Sequence, residues 1–583
     1  MAFQVSPGVQ VKEIDATGVI PAVSTSIGGF VGAFNWGPVE EIKLVSSEDN
    51  MASIFSTPDT NMAKYFLTAA SFLKYGNALK VVRTVDTSAR NANVKGNSAL
   101  IIKNEDDFNS TSINSNDVGE FISKYPGFLG NSLRIEICAH KSNGTAYANW
   151  DYKDEFDGAP LTSNYALNKG YDGVEDDFGV TRTKSGDELH MVVVDRLGYF
   201  SGTVGTVLET FPYMSQALDA KDASGTSIYW RNVVNAQSNY VKFTSATADW
   251  PLSNDGQTVV ERDSSFAVPE ASFSYDLQGG VDGNEPTTGN IQTGLDLFSD
   301  PELEDVNLLF TCPDAGAATS SDTAVIGNYL IALAESRKDC MAFISPPISD
   351  TANSTTPLAS VKSYASALNS TSYASLDSGA VYIYDKYNDV YLYIGAAGLC
   401  AGLCANTDQV ADAWFSPAGL NRGQLRGVAK LAFNPTKAQR DELYKARVNP
   451  LVSFPGQGTM LFGDKTLLTR PSAFDRINVR RLFIVLEKAI STASKAQLFE
   501  FNDEFTRAQF RNMLEPFLRD VKGRRGVTDF LVVCDESNNT GQVVDSNRFV
   551  ADIFIKPSRS INFITLNFIA TRTGVDFSEV AGG

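Results

Sequence analysis

Histidine serves most often in acid–base and metal sites, and this 583-residue sequence contains two, His140 and His190. Neither has a cysteine, histidine or carboxylate partner at the spacing that metal ligands need. Both fall in a stretch dominated by small polar residues. We therefore expect both to be surface histidines, with no catalytic or metal-binding role.

The six cysteines are scattered along the chain and form no framework of closely spaced pairs. Cys400 and Cys404 have the spacing of one zinc-ligand pair, but a second pair is missing, which argues against a zinc site. Cys312, Cys340 and Cys534 lie in or beside apolar runs, where a free cysteine acts as a small hydrophobic residue. This usage is typical of a reducing compartment.

Residues 458–466, Gly-Thr-Met-Leu-Phe-Gly-Asp-Lys-Thr, nearly spell a phosphate-binding loop. That loop needs Gly directly before Lys so that backbone N–H groups wrap the phosphates. Here Asp464 intervenes and would place a carboxylate in the cradle. Two acidic segments, 151–158 and 170–177, lack the alternating ligands of a calcium loop and are expected to be solvated. We predict no cofactor, no metal and no catalytic residue.

Length and composition limit the remaining functions. A chain of 583 residues is too long for one core, so several domains are expected. The net charge of −19 argues against nucleic-acid binding, which needs clustered Lys and Arg. No signal peptide is visible at the N-terminus, and the longest apolar run, residues 390–405, is shorter than a membrane span. We predict no membrane insertion.

Two separated segments, 25–90 and 286–470, show strands and helices in alternation with near-continuous apolar strands. The first contains Ile27-Gly-Gly-Phe-Val-Gly-Ala-Phe34, a helical pattern over 62–73, and a strand over 78–85. The second contains strands over 306–312 and 340–346, helices over 324–336 and 360–368, and a hairpin over 380–394. Such patterns predict one split α/β core domain with a parallel sheet covered on both faces.

Residues 91–285 read as a β-rich insertion of two subdomains, because their apolar runs are short and separated by turn residues. Residues 471–570 read as an α+β module of two helices and three strands, the last over 561–569. Pro516 is expected to kink or interrupt the second helix. The predicted fold class is therefore mixed α/β and multidomain.

The first residues alternate with a period of two, and Phe3, Val5, Val9 and Val11 are the apolar members. The pattern predicts a strand in residues 3–14, and residues 15–18 then loosen the chain. This strand either lies at the edge of the chain's own sheet or pairs with another copy. The residues alone favour an edge strand of the chain's own sheet, although strand-forming residues at both ends of one chain suggest pairing between copies.

Seven short motifs occur in a particular order along the sequence. They are Ser6-Pro-Gly-Val9, Gly29-Phe-Val-Gly32, Gly37-Pro38, Tyr125-Pro-Gly-Phe-Leu-Gly-Asn131, Val448-Asn-Pro-Leu451, Phe462-Gly-Asp-Lys-Thr466 and Ile477-Asn-Val-Arg-Arg-Leu482. In their order and spacing the chain resembles the tail sheath proteins of contractile-tailed bacteriophages, most closely the T-even-like group. The resemblance covers both α/β segments and the C-terminal module.

The resemblance implies a structural protein that forms stacked hexameric rings, or equivalently a six-start helix, around a tail tube. Contraction from a metastable extended state would drive the tube through the host envelope without nucleotide. The implied partners are other copies, the tube protein, and baseplate and tail terminator proteins. The implied location is the virion, after assembly in the host cytoplasm.

The resemblance also implies that terminal arms exchange strands between subunits. The N-terminal arm would be residues 1–24, with Phe3, Val5, Val9 and Val11 as its apolar positions. The C-terminal arm would be residues 571–583, anchored by Val575, Phe577 and Val580. Both arms would add strands to the sheet of the C-terminal module of a neighbouring copy.

Four basic residues of the second predicted C-terminal helix fall near one face, against the acidic background of the chain: Arg507, Arg511, Arg519 and Lys522. We interpret this face either as a contact with an acidic stripe on the tube or as an ordinary solvated surface. Three other functions remain as alternatives: the sheath of a related contractile injection system, an α/β nucleotide-binding enzyme, and a secreted adhesin.

Overall fold

The computed structural model describes residues 23–96, 99–139, 145–168, 186–252, 255–258, 266, 269, 271–314 and 320–562. The chain divides into two compact units. The larger unit comprises residues 24–410 and 417–471. The described part of the smaller unit comprises residues 23, 411–416 and 472–562.

The described strands of the larger unit are β1 (Gly28–Gly32), β2 (Ile42–Val45), β3 (Leu79–Arg83), β4 (Phe121–Ser123), β5 (Leu133–Ala139), β6 (Glu188–Asp195), β7 (Thr206–Ser215), β8 (Val241–Phe243), β9 (Phe273–Asp276), β10 (Leu308–Thr311), β11 (Met341–Ile344), β12 (Ala374–Asp377), β13 (Val381–Asp385), β14 (Val390–Ile394), β15 (Val428–Leu431), β16 (Val448–Asn449), β17 (Leu451–Phe454) and β18 (Gly458–Leu461). Its helices are α1 (Glu48–Phe55), α2 (Ala63–Leu73), α3 (Glu105–Ser110), α4 (Ser115–Val118), α5 (Thr145–Ala148), α6 (Asn164–Asn168), α7 (Trp230–Gln237), α8 (Thr288–Asp296), α9 (Ser320–Arg337), α10 (Ile348–Thr351), α11 (Pro357–Ala367), α12 (Ala397–Val410) and α13 (Lys437–Lys445).

A seven-stranded sheet in the order β16-β12-β11-β10-β1-β3-β2 forms the centre of the larger unit. All its pairings are parallel except that of β2 with β3. Strands from residues 28–83 and from residues 308–449 therefore share one sheet. The strand order reverses between β1 and β10, as in doubly wound α/β proteins.

Helices cover both faces of this sheet, as near-continuous apolar strands require. Successive residues of β1 point to opposite faces. A Cβ at Gly28 would meet Phe72 of α2 at 2.8 Å, whereas Val31 lies against Gly294 of α8. The predicted strands over 306–312 and 340–346, the helices over 324–336 and 360–368, and the 380–394 hairpin are all present.

A β-rich region separates the two segments of the split sheet. It contains a four-stranded antiparallel sheet in the order β7-β6-β5-β9 and the antiparallel pair β4-β8. Trp230 and Phe243 pack edge to face in its core, with ring centroids 4.6 Å apart. Buried aromatic rings thus supply much of the apolar area in a region whose apolar runs are short.

Arg83, at the end of β3, joins this region to the split sheet. It is fully buried, and its guanidinium donates to the carbonyls of Phe34 (2.8 Å), Gly37 (2.7 Å) and Pro126 (2.8 Å). Burial lowers its pKa to about 10, still above neutral pH, so the side chain stays charged. Two of the seven sequence motifs, Gly37-Pro38 and residues 125–131, therefore meet at one buried cation.

The smaller unit contains the helices α14 (Ile477–Ser494), α15 (Glu504–Gly523) and α16 (Gly541–Asp545), and the strands β19 (Val527–Val533) and β20 (Asp552–Pro557). Helix α15 runs through Pro516 without interruption, so a break at that residue is wrong. The helix tolerates proline because Pro516 is exposed, where water can hydrogen-bond the carbonyl that loses its partner. The predicted third strand over 561–569 lies almost wholly outside the described residues.

Residues 411–416 belong to the smaller unit although the chain around them belongs to the larger one. Trp414 packs in the core of the smaller unit with Leu514 and Leu518. Its ring nitrogen donates to the carbonyl of Arg524 at 3.1 Å, and the Arg524 guanidinium lies 5.1 Å from the ring centroid. Residues 411–416 thus contribute a tryptophan to the core of the smaller unit.

Across the described residues, no helix is both long enough and apolar enough to span a bilayer.

Candidate assembly interface

His190 is not the surface residue that the sequence predicts. It is fully buried, stacked on Phe156 with centroids 4.3 Å apart. Its Nδ1 accepts from the Tyr213 backbone N–H, and its Nε2 lies 2.9 Å from the Gly158 carbonyl oxygen. Burial lowers its pKa and favours the neutral ring. The surface prediction is wrong because the histidine fills an aromatic core position; His140 lies outside the described residues.

No group of three or more His, Cys, Asp or Glu side chains in the described residues could hold a metal ion. All six cysteines are buried free thiols. Burial raises the pKa of Cys400 well above its usual value and that of Cys312 to about 12. Because the thiolate is the nucleophile and metal ligand, these thiols are unsuited to either role. They pack as small apolar residues.

The segment that resembles a phosphate loop has a different structure. Its first part is strand β18, and Asp464 is buried. The Lys465 ammonium donates to the Tyr444 carbonyl at 2.8 Å and lies 4.2 Å from the centre of the Tyr444 ring. The Lys465 backbone N–H donates to Asn449 at 2.7 Å. The donors that would cradle a phosphate are thus engaged within the fold.

The antiparallel pair β19-β20 carries the features of a surface for assembly. Phe530 pairs with Ile555 and packs against the core under α14 and α15, whereas the neighbouring pair of Leu531 with Phe554 is exposed. Among the described residues each strand has a hydrogen-bonded neighbour on one side only. An open strand edge can bind an added strand through main-chain hydrogen bonds.

Helix α15 presents its basic side chains unequally. Arg507 lies on the buried face and is 8% exposed, and its guanidinium donates to Asn502 at 3.3 Å. Arg511 is half-buried, whereas Arg519 and Lys522 are exposed. The Lys522 ammonium lies 3.1 Å from a carboxylate oxygen of Asp529 on β19. Arg519 and Lys522 are therefore the accessible members of the predicted basic set.

Residues 498–505 span the end of the connection from α14 to α15 and the first two residues of α15. They were not singled out by the sequence, and we call them the aromatic loop. Leu498, Phe499, Phe501 and Phe505 are 62%, 105%, 84% and 75% exposed. Phe499 has φ of +71°, a left-handed conformation that costs free energy in a bulky residue. The sequence shows four large apolar residues within these eight positions. That number is too small to form an apolar stripe along one face of a helix, so the pattern did not mark the segment as a surface.

Hydrogen bonds of Asn502 and Asp503 hold the aromatic loop in place. The Asn502 side-chain amide donates to the Arg548 carbonyl at 2.8 Å and to Asn539 at 3.2 Å. Asp503 then caps α15 by accepting from the Thr506 backbone N–H at 2.8 Å. The loop is thus fixed at both its centre and its end while its aromatic rings stay exposed.

The N-terminal arm positions Phe3, Val5, Val9 and Val11 lie outside the described residues, and so do Val575, Phe577 and Val580 of the C-terminal arm.

Comparison with known proteins decides the family. A family model described as the phage tail sheath protein central domain matches residues 284–467, and the phage tail sheath C-terminal domain matches residues 469–571. A tail sheath protein of Vibrio phage KVP40 is 34% identical over 676 aligned residues, with 99% of each chain covered. The chain belongs to the phage tail sheath protein family. It is a structural virion component and not an enzyme.

Other relatives agree with this assignment of the sheath protein. The tail sheath protein of Enterobacteria phage T4 is 31% identical over 664 aligned residues, and 99% of each chain is covered. The sheath tail protein of Desulfitobacterium hafniense has a solved structure that is 13% identical, with a TM-score of 0.50 over 91% of this chain and 94% of that one. At that identity the likeness concerns the fold alone. The predicted mixed α/β sheath fold is confirmed.

Proposed function

We propose that this sheath protein polymerises with copies of itself as stacked hexameric rings, or a six-start helix, around a tail tube. The observation that carries the proposal is the β19-β20 pair, which has an apolar core on one face and whose two strands each have, among the described residues, a hydrogen-bonded neighbour on one side only. Family membership supports the same assembly. Hexameric order and the contracted and extended states are part of the proposal.

Strand exchange would keep neighbours connected while their interfaces rearrange. The N-terminal arm, residues 1–24, and the C-terminal arm, residues 571–583, would add strands to the β19-β20 sheet of another copy. Backbone hydrogen bonds give such an addition strength that is largely independent of side chains. Each joint contributes only about a few kcal/mol, since avidity over many joints sums the contributions.

Contact with the tube would involve α15. Arg519 and Lys522 are exposed on a chain whose net charge is −19, and Arg511 is partly accessible. Exposed ion pairs are weak and screened by salt, which suits a contact that must release. Arg507 would act from within the fold, because its bond to Asn502 holds the start of α15.

Contraction would shorten and widen the sheath, using energy stored during assembly and no nucleotide. Its partners would be the tube protein, the baseplate and tail terminator proteins, with assembly in the host cytoplasm. The buried Asp464 and the engaged Lys465 support a function without nucleotide, because neither presents a phosphate cradle. The sheath of a related contractile injection system remains the second candidate, since the same surfaces would serve it.

Removing residues 2–14 tests the exchange of strands. We expect the shortened protein to fold, with an unchanged melting temperature, but to form no connected sheaths in electron micrographs. The double substitution Val5→Pro and Val9→Pro should act in the same way, because proline removes the N–H groups that an added strand donates. The matched control is Gln4→Ala with Gln10→Ala, which keeps the main chain intact. Connected, contractile sheaths formed by the shortened protein would contradict the exchange.

A further inference from the structure

The aromatic loop exposes more apolar surface than its fold requires. Four large side chains within eight residues are each more than half exposed, and Phe499 adopts a strained left-handed conformation. Contiguous exposed aromatic surface of this kind marks a site of interaction. Strain at an exposed residue persists only where the surroundings impose it, and the nearby Asn502 side chain is bonded to Arg548 and Asn539.

The charges of the aromatic loop define the chemistry of its partner. Glu500 and Glu504 are exposed between the aromatic residues. Asp503 adds a third carboxylate at the start of α15. The complementary surface must therefore combine exposed apolar area with basic side chains.

This chain carries such a surface on its larger unit, and we call it the basic aromatic patch: Lys437, Arg440, Phe454 and Phe462. The two phenylalanine rings pack edge to face, 5.3 Å apart, and Phe462 is 46% exposed. The Arg440 guanidinium lies 5.4 Å from the Phe454 ring centre and 5.9 Å from the Phe462 ring centre. Lys437 is exposed one turn earlier on α13.

The exposed tyrosines of β13 and β14 are a weaker match. Lys430 lies over the Tyr382 ring at 4.6 Å, but Tyr384 donates to the carboxylate of Asp389 at 2.6 Å. An acidic loop would be repelled there.

The phenylalanines of the basic aromatic patch carry no polar atoms, and Arg440 donates to the Pro435 carbonyl at 3.3 Å. Two exposed carboxylates, Asp441 and Glu442, follow Arg440 on α13, and Glu442 is paired with Lys362 at 2.8 Å.

We infer that the aromatic loop of one copy docks on the basic aromatic patch of another copy. The two surfaces differ, so the contact is heterologous, and a heterologous contact that does not close builds a helical polymer. Aromatic residues and arginine are the side chains that most often dominate binding energy at protein interfaces. This inference rests on the proposed polymerisation and assigns it a pair of surfaces.

Charge reversal on each surface tests the inference in the full-length chain. The loop variant carries Glu500→Arg and Glu504→Arg, and the patch variant carries Lys437→Glu and Arg440→Glu. We expect each variant alone to need at least about tenfold more protein than the wild type before it sediments as polymer. An equimolar mixture should polymerise within about twofold of the wild-type concentration, because each copy then offers the surface that the other needs.

Matched controls reverse exposed charges elsewhere. Glu335→Arg on α9 and Lys221→Glu in the β-rich region should polymerise as the wild type does. Because the Phe499 side chain is fully exposed, Phe499→Ser should fold normally and still raise the required concentration. This variant keeps the test valid if a charge-reversed chain does not fold.

The outcomes separate this inference from the proposed function. If the wild type polymerises and the charge-reversed variants polymerise equally well, the paired surfaces are wrong but the proposed polymerisation stands. The same conclusion follows if the wild type polymerises and the equimolar mixture of variants does not. Rescue only when all four changes are on one chain would place the contact within a copy and also overturn the inference. A wild-type chain that never polymerises would overturn both the proposed function and the inference.

Discussion

Single residues in the sheath protein mostly serve the fold, including those with the most reactive chemistry. His190 and the cysteines are buried, and the pKa of each shifted group moves toward the neutral form. Arg83 is the exception, because it remains charged in a buried position where its guanidinium donates to backbone carbonyl oxygens. The contribution of the Arg83 side chain to the stability of the fold can therefore be measured directly by substitution.

Arg83→Met should lower the melting temperature strongly. The substitution keeps the stem of the side chain but removes the guanidinium that donates to the carbonyls of Phe34, Gly37 and Pro126, at a cost of about 3 kcal/mol or more. Arg90→Met is the matched control, since the Arg90 guanidinium bonds only nearby backbone carbonyls at a partly exposed site. Differential scanning calorimetry of both variants measures the difference. Equal shifts would show that Arg83 does not join the β-rich region to the split sheet.

At the scale of elements, the pattern of apolar residues predicted most strands and helices of the split sheet but not the charged residue buried at the end of one of its strands. The runs at 306–312 and 340–346 predicted β10 and β11 because buried parallel strands are apolar throughout. The 380–394 hairpin followed from its alternation and the turn between its strands. Arg83 was missed because burial of a cation depends on distant carbonyls that leave no local pattern.

The candidate surfaces were less predictable than the elements. Arg507 lies on the buried face of α15 because its guanidinium finds Asn502 there, and helical spacing alone does not show such a partner. The aromatic loop was not singled out from the sequence, and only the fold shows that its large apolar side chains remain exposed. Which side chains form an accessible surface depends on how the rest of the chain packs, and a local sequence pattern does not show that packing.

Charge reversal of Arg519 and Lys522 tests α15 as an element that faces the tube. We expect Arg519→Glu with Lys522→Glu to abolish polymerisation around preformed tubes while leaving the melting temperature within a few degrees. Arg548→Glu, at an exposed position of the same unit, is the matched control. The measurement is cosedimentation with tubes at low and high salt. Unchanged cosedimentation of the double variant would contradict a tube contact through α15.

At the scale of the whole molecule, the surfaces proposed for assembly are distributed over both compact units. The larger unit holds the split sheet and the basic aromatic patch, and the smaller one holds the strand pair, α15 and the aromatic loop. A net charge of −19 disfavours random association, so assembly needs specific surfaces that overcome repulsion between copies. The exposed strand edges, aromatic loop and α15 are the surfaces proposed to do so.

Electron microscopy of the purified full-length chain tests the central claim, that this protein assembles with itself into a sheath. The account predicts hollow helical cylinders that lengthen as the protein concentration rises. The same preparation showing only monodisperse small oligomers at every concentration would contradict it.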